Sequence, residues 1–300
     1  MNLATIIDAH PDDACALISR GQRTTFGELR QQVASVRGAL VSSGLRPGDR
    51  LAIVSANNWY FVVGWLAGLG AGLVVVPVNP SAPAPELQRQ LAMVDARAVL
   101  VGPAAARAFA DVDRSTLGSL DVVIETAGLG IEGAVALDDL LTHEPAPLVD
   151  RDGDDLAALL FTSGTAGAPR AAMLTHGNLA ANLDQIQASQ ARRQLATDVS
   201  LGVLPFSHIF GLNVVLDLSL YAGSTLVVVE RFDPTSAAEA VVNHGVTVVA
   251  GAPPMWTAWA SVAGLAPDTF ASVRIASSGA AKLPVETAQL FEDRFGVRIT

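Results

Sequence analysis

Apolar residues along this chain recur at two spacings, and the alternation between them predicts helices and strands in turn. Leu29, Val33, Val36 and Leu40 fall three or four residues apart, which predicts one face of a helix over Phe26–Ser43. Thr25 with Glu28 three residues later has the pattern of a capping box, and Gly44 closes the helix. Ahead of it Ala16–Ser19 reads as a strand followed by a turn at Gly21–Gln22; after it Pro47-Gly48-Asp49 turns the chain into a strand over Arg50–Ser55. The run Phe61–Val78 carries no charge and is long enough on length alone to span a membrane. Its glycines, Pro77 and a change of character halfway argue for a buried core instead. Phe61–Leu69 predicts a helix, Gly70–Gly72 its stop, and Leu73–Val78 a β-branched strand.

A weak internal repeat extends this pattern. Ala71-Gly72, Val74–Val76 and Asn79-Pro80 lead into an amphipathic segment and a strand at Arg97–Val101. Ala222-Gly223, Val227–Val229 and Asp233-Pro234 lead into a helix at Thr235–His244 and a strand at Val246–Ala250. Both copies run helix, glycine stop, strand, proline-bearing loop, helix, strand. The expected fold is α/β, with two similar β-sheet subdomains covered by helices. Residues 1–150 would form the first subdomain. Residues 151–300 would form the second. Their expected join is Leu141–Asp155, rich in Pro and Asp and without apolar period. Gly128–Ala134 reads as a surface loop.

Composition narrows the classes of function. Half of the 300 residues are hydrophobic and 16% are charged, which suits a globular chain. The formal charge of -10 leaves no basic face for nucleic acid, so any phosphate site must be built locally from backbone N–H groups, a few cations and Mg²⁺. Cys15 is the one cysteine, which excludes an intrachain disulfide and fits a reducing, cytoplasmic setting. Its neighbours in HPDDACAL are acidic and do not favour a reactive thiolate. The N-terminal MNLATIIDAH has no basic region, and Asp8 precedes any long apolar run, unlike a secretory signal.

The densest chemistry lies at Thr162–Arg170, TSGTAGAPR, directly after the apolar run Leu156–Phe161. Gly164 and Gly167 allow the backbone to curl so that successive N–H groups converge on an anion. Thr162, Ser163 and Thr165 add hydroxyl donors, and the Arg170 guanidinium can grip phosphate oxygens two at a time. The GxxxxGK[ST] pattern of P-loop NTPases does not fit: Arg170 is preceded by Pro169 and followed by Ala171.

In LLFTSGTAGAPRAAMLTHGNL the chain resembles the adenylate-forming superfamily, which includes acyl-CoA synthetases, luciferases and peptide-synthetase adenylation domains. Its signature loop reads Thr/Ser-Ser-Gly-Thr-Thr-Gly-x-Pro-Lys-Gly and clamps ATP phosphates. The resemblance implies ATP contacts at Thr162, Ser163, Gly164, Thr165, Ala166, Gly167 and Arg170. Ala166 replaces the second threonine, Arg170 the lysine and Ala171 the following glycine, so one hydroxyl is lost while the charge is kept. LPFSHIFGL is similar to the family segment lining the acyl pocket. That similarity implies a gate or carboxylate-side role for His208 and a pocket-lining role for Phe210; read without it, His208 would be half-buried in an apolar wall. Arg231 reads either as a solvated strand-end arginine or, by resemblance, as a contact to CoA phosphates. VVAGAPPM resembles the strand and turn whose small residues, Gly251, Ala252 and Pro253, border the acyl tunnel. IASSGAAKL resembles the segment supporting adenine and acyl group, with Gly279 and Ala280 as adenine contacts and Ala281 on the acyl side.

The resemblance implies an N-terminal portion of the family's large domain. The Gly-Tyr-Gly-x-Thr-Glu segment that holds Mg²⁺, the ribose aspartate, the hinge and the small C-terminal domain with its adenylation lysine are not among these residues. The chain is therefore expected to be part of a longer protein, with no metal ligand of its own and, alone, at most weak nucleotide binding and no acyl-CoA synthesis. The implied activity is attack of a carboxylate on ATP to give acyl-AMP, followed by transfer to CoA, with ATP, Mg²⁺ and CoA as cofactors. Arg170 and His208 are the implied catalytic contacts. A fatty acid is the expected substrate, with an aryl or phenylpropanoid acid as the other choice. Ligation to a carrier protein and a non-catalytic nucleotide-binding relative are the alternatives. The expected place is the cytoplasm, with membrane association left open and no transmembrane segment.

Overall fold

A computed structural model describes residues 1–126, 128–162 and 170–300. The chain gathers into two compact units, Met1–Asp12 with Phe26–Ala181, and Asp13–Thr25 with Asn182–Thr300. In chain order the strands are β1 (Cys15–Ser19), β2 (Gln22–Thr25), β3 (Arg50–Val54), β4 (Val74–Val78), β5 (Ala98–Val101), β6 (Val122–Glu125), β7 (Val135–Ala136), β8 (Leu156–Thr162), β9 (Arg170–Thr175), β10 (Val199–Gly202), β11 (Thr225–Val228), β12 (Val248–Gly251) and β13 (Ile275–Ser278). Among the described residues the first unit holds a sheet ordered β7-β6-β5-β3-β4-β8-β9. The second holds one ordered β13-β12-β10-β11-β1-β2.

The expected α/β class is the one observed, and the internal repeat is a repeat of topology. In the first sheet β3 lies between β4 and β5, β6 flanks β5, and β8 flanks β4, all in parallel. In the second sheet β10, β11, β12, β13 and β1 take the corresponding places, again in parallel. Each sheet then closes on one side with an antiparallel hairpin, β8–β9 in one and β1–β2 in the other. β2 is a strand that the apolar pattern does not reveal, because Gln22 and Arg23 are exposed polar residues on an edge. Arg20 and Gly21 make its turn with φ of +50° and +77°, the left-handed pair of a two-residue hairpin.

Parallel strands covered on both faces read as unbroken apolar runs, and all five residues of β4 are buried. The helix Trp59–Gly70 is buried from Phe61 onward. A Cβ at Gly64 would come within 2.9 Å of Leu100 Cδ1, and one at Gly68 within 2.8 Å of Val75 Cγ2, so the helix rests directly on β4 and β5. This explains the uncharged run: helix and strand are two layers of one core. Among the described residues no helix is long and apolar enough to cross a membrane.

Leu141–Asp155, expected as the join between subdomains, lies within the first unit. The Arg37 Nε donates to Ala146 O at 2.8 Å, Val149 N to Gly70 O at 2.9 Å, and Asn2 Nδ2 to Val149 O at 2.9 Å. Backbone carbonyls along this irregular segment satisfy donors on the N-terminal turn and the helix Phe26–Ser42. The segment Asp13–Thr25 belongs to the second unit, and beyond Phe26 the chain leaves the first unit inside the helix His176–Ala188, not near residue 150. β8 and β9, with Thr162 and Arg170 at their facing ends, therefore belong to the first sheet, because β8 pairs with β4.

In the second unit a buried carboxylate holds the starts of three strands. Asp198, just before β10, accepts from Arg274 Nε at 2.8 Å, from a second Arg274 nitrogen, from Thr247 Oγ1 at 2.8 Å and from Leu195 N at 2.7 Å. Burial alone would raise its pKa; the hydrogen bonds from Arg274, Leu195 and Thr247 outweigh it and hold the carboxyl below the usual range.

His176, wholly buried at the start of its helix, accepts from Leu3 N through Nδ1 at 3.0 Å. Its Nε2 has no hydrogen-bond partner among the described residues. Burial, with a smaller push from Arg151, lowers its pKa from 6.5 to about 4. As pH falls the unfolded chain takes up this proton first, so stability present above about pH 6.5 is lost progressively towards pH 4, by about 3 kcal/mol. Urea unfolding at pH 7 and pH 4.5 checks this: His176→Asn, which keeps an acceptor for Leu3 N, should lose markedly less stability over that interval than the parent. An equal loss would assign the acid sensitivity to other groups.

Candidate active site

Thr162 and Arg170, the two ends of the expected phosphate loop, close the β8–β9 pairing. Phe161 registers with Ala171 and Thr162 with Arg170, and Thr162 Oγ1 donates to Arg170 O at 3.5 Å. Thr162 and Arg170 are both exposed at the mouth of the hairpin. Ser163, Gly164, Thr165, Ala166 and Gly167 lie outside the described residues. After Arg170 the chain continues as β9 before the helix starts at His176. The helix is capped by a reciprocal pair, Asn178 N to Thr175 Oγ1 and Thr175 N to Asn178 Oδ1, each 3.1 Å. Its N-terminus is thus a strand's length from the loop. The dipole of this helix therefore acts a strand's length away from Arg170.

The remaining expected residues lie in the second unit, where parallel pairing aligns the carboxyl ends of β10, β12 and β13. Chain segments leaving such ends are where ligands of open α/β sheets bind. After β10, Leu204–Ile209 forms a turn closed by His208 N to Pro205 O at 3.1 Å, and Leu212 N donates back to His208 O at 2.9 Å. Phe210–Asp217 then winds in wide, π-helical turns, a form that recurs at functional sites. His208 and Ile209 are exposed and Phe206 is buried, so His208 stands out from the apolar wall rather than packing half-buried within it.

Phe210 and Gly279 meet. A Cβ on Gly279 would lie 2.7 Å from both Cε1 and Cζ of the Phe210 ring. Gly279 N donates to Gly251 O at 3.1 Å, and Gly251 registers with Ser278. A Cβ on Gly251 would lie 2.9 Å from Cε2 and Nε1 of Trp256, so the indole occupies the space above this glycine. Gly251 therefore opens no room for an acyl chain as the structure stands. Pro253 begins the helix Pro253–Ser261 that carries the indole. Ala280 and Ala281 are exposed, and Ala280 is held at φ +67°, a conformation costing a residue with a side chain about 1 kcal/mol. Arg231 is exposed beyond β11, next to Asp233, which caps the helix Pro234–His244 by accepting from Thr235 N and Ser236 N.

The place of Trp256 over Gly251 was not foreseen from the sequence. Trp256 and Trp259 sit three apart on one helix, which reads as ordinary core spacing; nothing in the sequence says which strand residue the indole covers. Among the described residues no group of three or more His, Cys, Asp or Glu side chains is placed to hold a metal ion.

Comparison with known proteins places this arrangement in a family. The model of the AMP-binding enzyme family matches residues 3–300. Among curated relatives, 4-coumarate–CoA ligase 3 of Arabidopsis thaliana is 31% identical, the alignment covering 92% of this chain and 49% of the relative. A long-chain-fatty-acid–CoA ligase of Bacillus subtilis (strain 168) is 27% identical over 96% of this chain and 56% of its own length. The ATP-bound MatB of Rhodopseudomonas palustris superposes with a TM-score of 0.87 at 28% identity, covering 99% of this chain and 58% of that one. The chain belongs to the AMP-binding enzyme family, and it spans about half the length of the curated relatives it matches.

The two ring-over-glycine contacts differ in what surrounds them, which predicts different responses to an added methyl. Phe210 is half-buried, whereas Trp256 is fully buried with rings of Trp259 and Phe291 against it. Gly251→Ala should lower unfolding free energy by about 1–3 kcal/mol, the usual cost of overpacking, and Gly279→Ala by clearly less. Denaturant midpoints of the two variants check the order. Equal losses would show that the indole is no more tightly held than the phenyl ring.

Proposed function

We propose that the intact protein activates a carboxylic acid with ATP, forming acyl-AMP and pyrophosphate, and then transfers the acyl group to CoA. The observation that carries this reading is the convergence of LPFSHIFGL, GAPP and SSGAA at the aligned ends of β10, β12 and β13. Family membership and the CoA-ligase names of the relatives support the reaction class. The solved relative MatB holds ATP. In this chain Thr162 and Arg170 suit the phosphates, with the loop between them. The exposed backbone at Ala280 and Ala281 suits a flat base. Gly279 itself serves a base only if Phe210 moves, because the ring now covers it.

A carboxylate is already a nucleophile at neutral pH, so the task of these residues is to place it and to stabilise charge building at the α-phosphate. His208, exposed on its turn, fits a carboxylate-side contact without acting as a base. Arg231 fits a cation for CoA phosphates. Mg²⁺ would supply further charge at the phosphates; the described residues offer no cluster for it. The relatives include both fatty-acid and phenylpropanoid ligases, and the long chain is the less supported of the two once Trp256 is seen above Gly251. The lone cysteine suits a reducing compartment such as the cytoplasm.

ATP–pyrophosphate exchange by the intact protein over a panel of acids tests the reading. Acid-dependent exchange, with CoA discharging the adenylate, is expected. Acyl-AMP that CoA does not discharge would indicate a carrier-protein acceptor, and exchange indifferent to acid would indicate a non-catalytic nucleotide binder. Arg170→Ala should slow exchange about tenfold or more, since a charged hydrogen-bond partner is typically worth about 1.5–3 kcal/mol. Unchanged exchange would remove Arg170 from the phosphate site.

A further inference from the structure

The helix Ala84–Met93 meets different surroundings on its different sides. Leu87 and Leu91 are buried in the core of the first unit, in one cluster with Val78 and Phe109. On an adjoining side Gln88, Arg89 and Ala92, with Ala84 and Pro85 a turn earlier, line a cavity of about 430 Å³. Their spacing of three and four residues sets them in one stripe along the helix. The facing wall is the segment that follows the helix Ala106–Ala110, through Asp111 and Thr116. Phe109, Val112 and Leu117 root that segment in the same core. Gln88 crosses from wall to wall: its Nε2 donates to Thr116 Oγ1 at 2.9 Å, and its Oε1 accepts from Asp113 N at 3.2 Å. Both walls are thus fixed to the core and to each other, and the fold sets the width of the cavity.

The charges on these walls are a second observation. Arg89 stands on one wall and Asp111 on the other, both exposed. Among the described residues neither side chain has a hydrogen-bond or ion-pair partner, and the two do not pair with each other. Ala84, Pro85 and Ala92 make the rest of the helical wall small and apolar apart from the tied Gln88. Opposite charges on one cavity, held apart by the fold, suit a molecule that brings both complements at once. A carboxylate meets the guanidinium, an ammonium meets the carboxylate, and a saturated stretch lies along the alanines and the proline. The volume is that of a small-molecule site.

We propose that this cavity binds a small zwitterion whose two charges are separated by a short alkyl chain, an ω-amino acid in chemical class. None of its lining residues belongs to TSGTAGAPR, LPFSHIFGL, GAPP or SSGAA, so the site is additional to the one that activates an acid.

The test uses 5-aminopentanoate, titrated into the intact protein without ATP and followed by isothermal titration calorimetry. Pentanoate and pentylamine, each lacking one charge, are the comparisons. Exposed ion pairs are individually weak, so the zwitterion should bind at least threefold more tightly than either comparison compound, with a dissociation constant on the order of millimolar. Arg89→Gln should bring 5-aminopentanoate down to the affinity of pentylamine, and Asp111→Asn down to that of pentanoate, both with the circular dichroism of the parent. Ala92→Leu, which fills the cavity without altering either charge, should weaken all three compounds. Equal affinity of the three, no saturable binding of 5-aminopentanoate, or an unchanged preference in either charge variant would overturn the assignment. The titration contains no ATP and no acid activation is read, so its failure leaves the proposed reaction untouched.

Discussion

Asp198 is where the geometry of the second unit begins. Its carboxylate, buried before β10, takes hydrogen bonds from Arg274 ahead of β13 and from Thr247 ahead of β12. Three strands are thereby tied at their starts, and parallel pairing carries that alignment through to their ends. A carboxylate with several donors in a buried place tolerates no shift of a residue in either direction without leaving a charge unpaired. The turn with His208, the Gly251 backbone and the Gly279–Ala281 loop are neighbours because the far ends of their strands are fixed.

The phosphate loop has a different foundation. Each sheet ends on one side with an antiparallel hairpin in the same topological place. In the second sheet that hairpin turns through Arg20 and Gly21 alone. In the first the paired strands are separated in sequence by the glycine- and hydroxyl-rich stretch between Thr162 and Arg170. The repeat thus supplies one tight hairpin and one whose strands are joined by a longer segment. It also accounts for the separation of the loop from the helix at His176, since β9 must first complete its pairing with β8. The helix in turn is anchored to the N-terminal segment through the buried imidazole of His176, whose neutral form the packing requires.

Small residues at the strand ends have two uses that sequence reading joined into one. At Ala280 and Ala281 the backbone is open to solvent and free to meet a ligand. At Gly251 the missing Cβ admits an indole, and at Gly279 a phenyl ring. The first leaves the chain exposed; the second is packing. Trp256 is held by rings on several sides, whereas Phe210 is half-buried.

The elements and the family were legible in the sequence because they depend on local order. Period and glycine stops mark the helix Trp59–Gly70 and the strand β4, and TSGTAGAPR, LPFSHIFGL and SSGAA are contiguous stretches whose resemblance needs no folding to see. Tertiary structure decided the rest. β2 is polar because it lies at an edge, so no apolar alternation announces it. Leu141–Asp155 looks like a linker because its order comes from backbone carbonyls meeting donors far away in the chain, such as Asn2 and Arg37. Thr162 and Arg170 fall in the first sheet because β8 pairs with β4, a partner that sequence distance hides. Trp256 covers Gly251 because a helix returns over its own strand, and whether a small residue makes space or fills it is settled only by what packs against it.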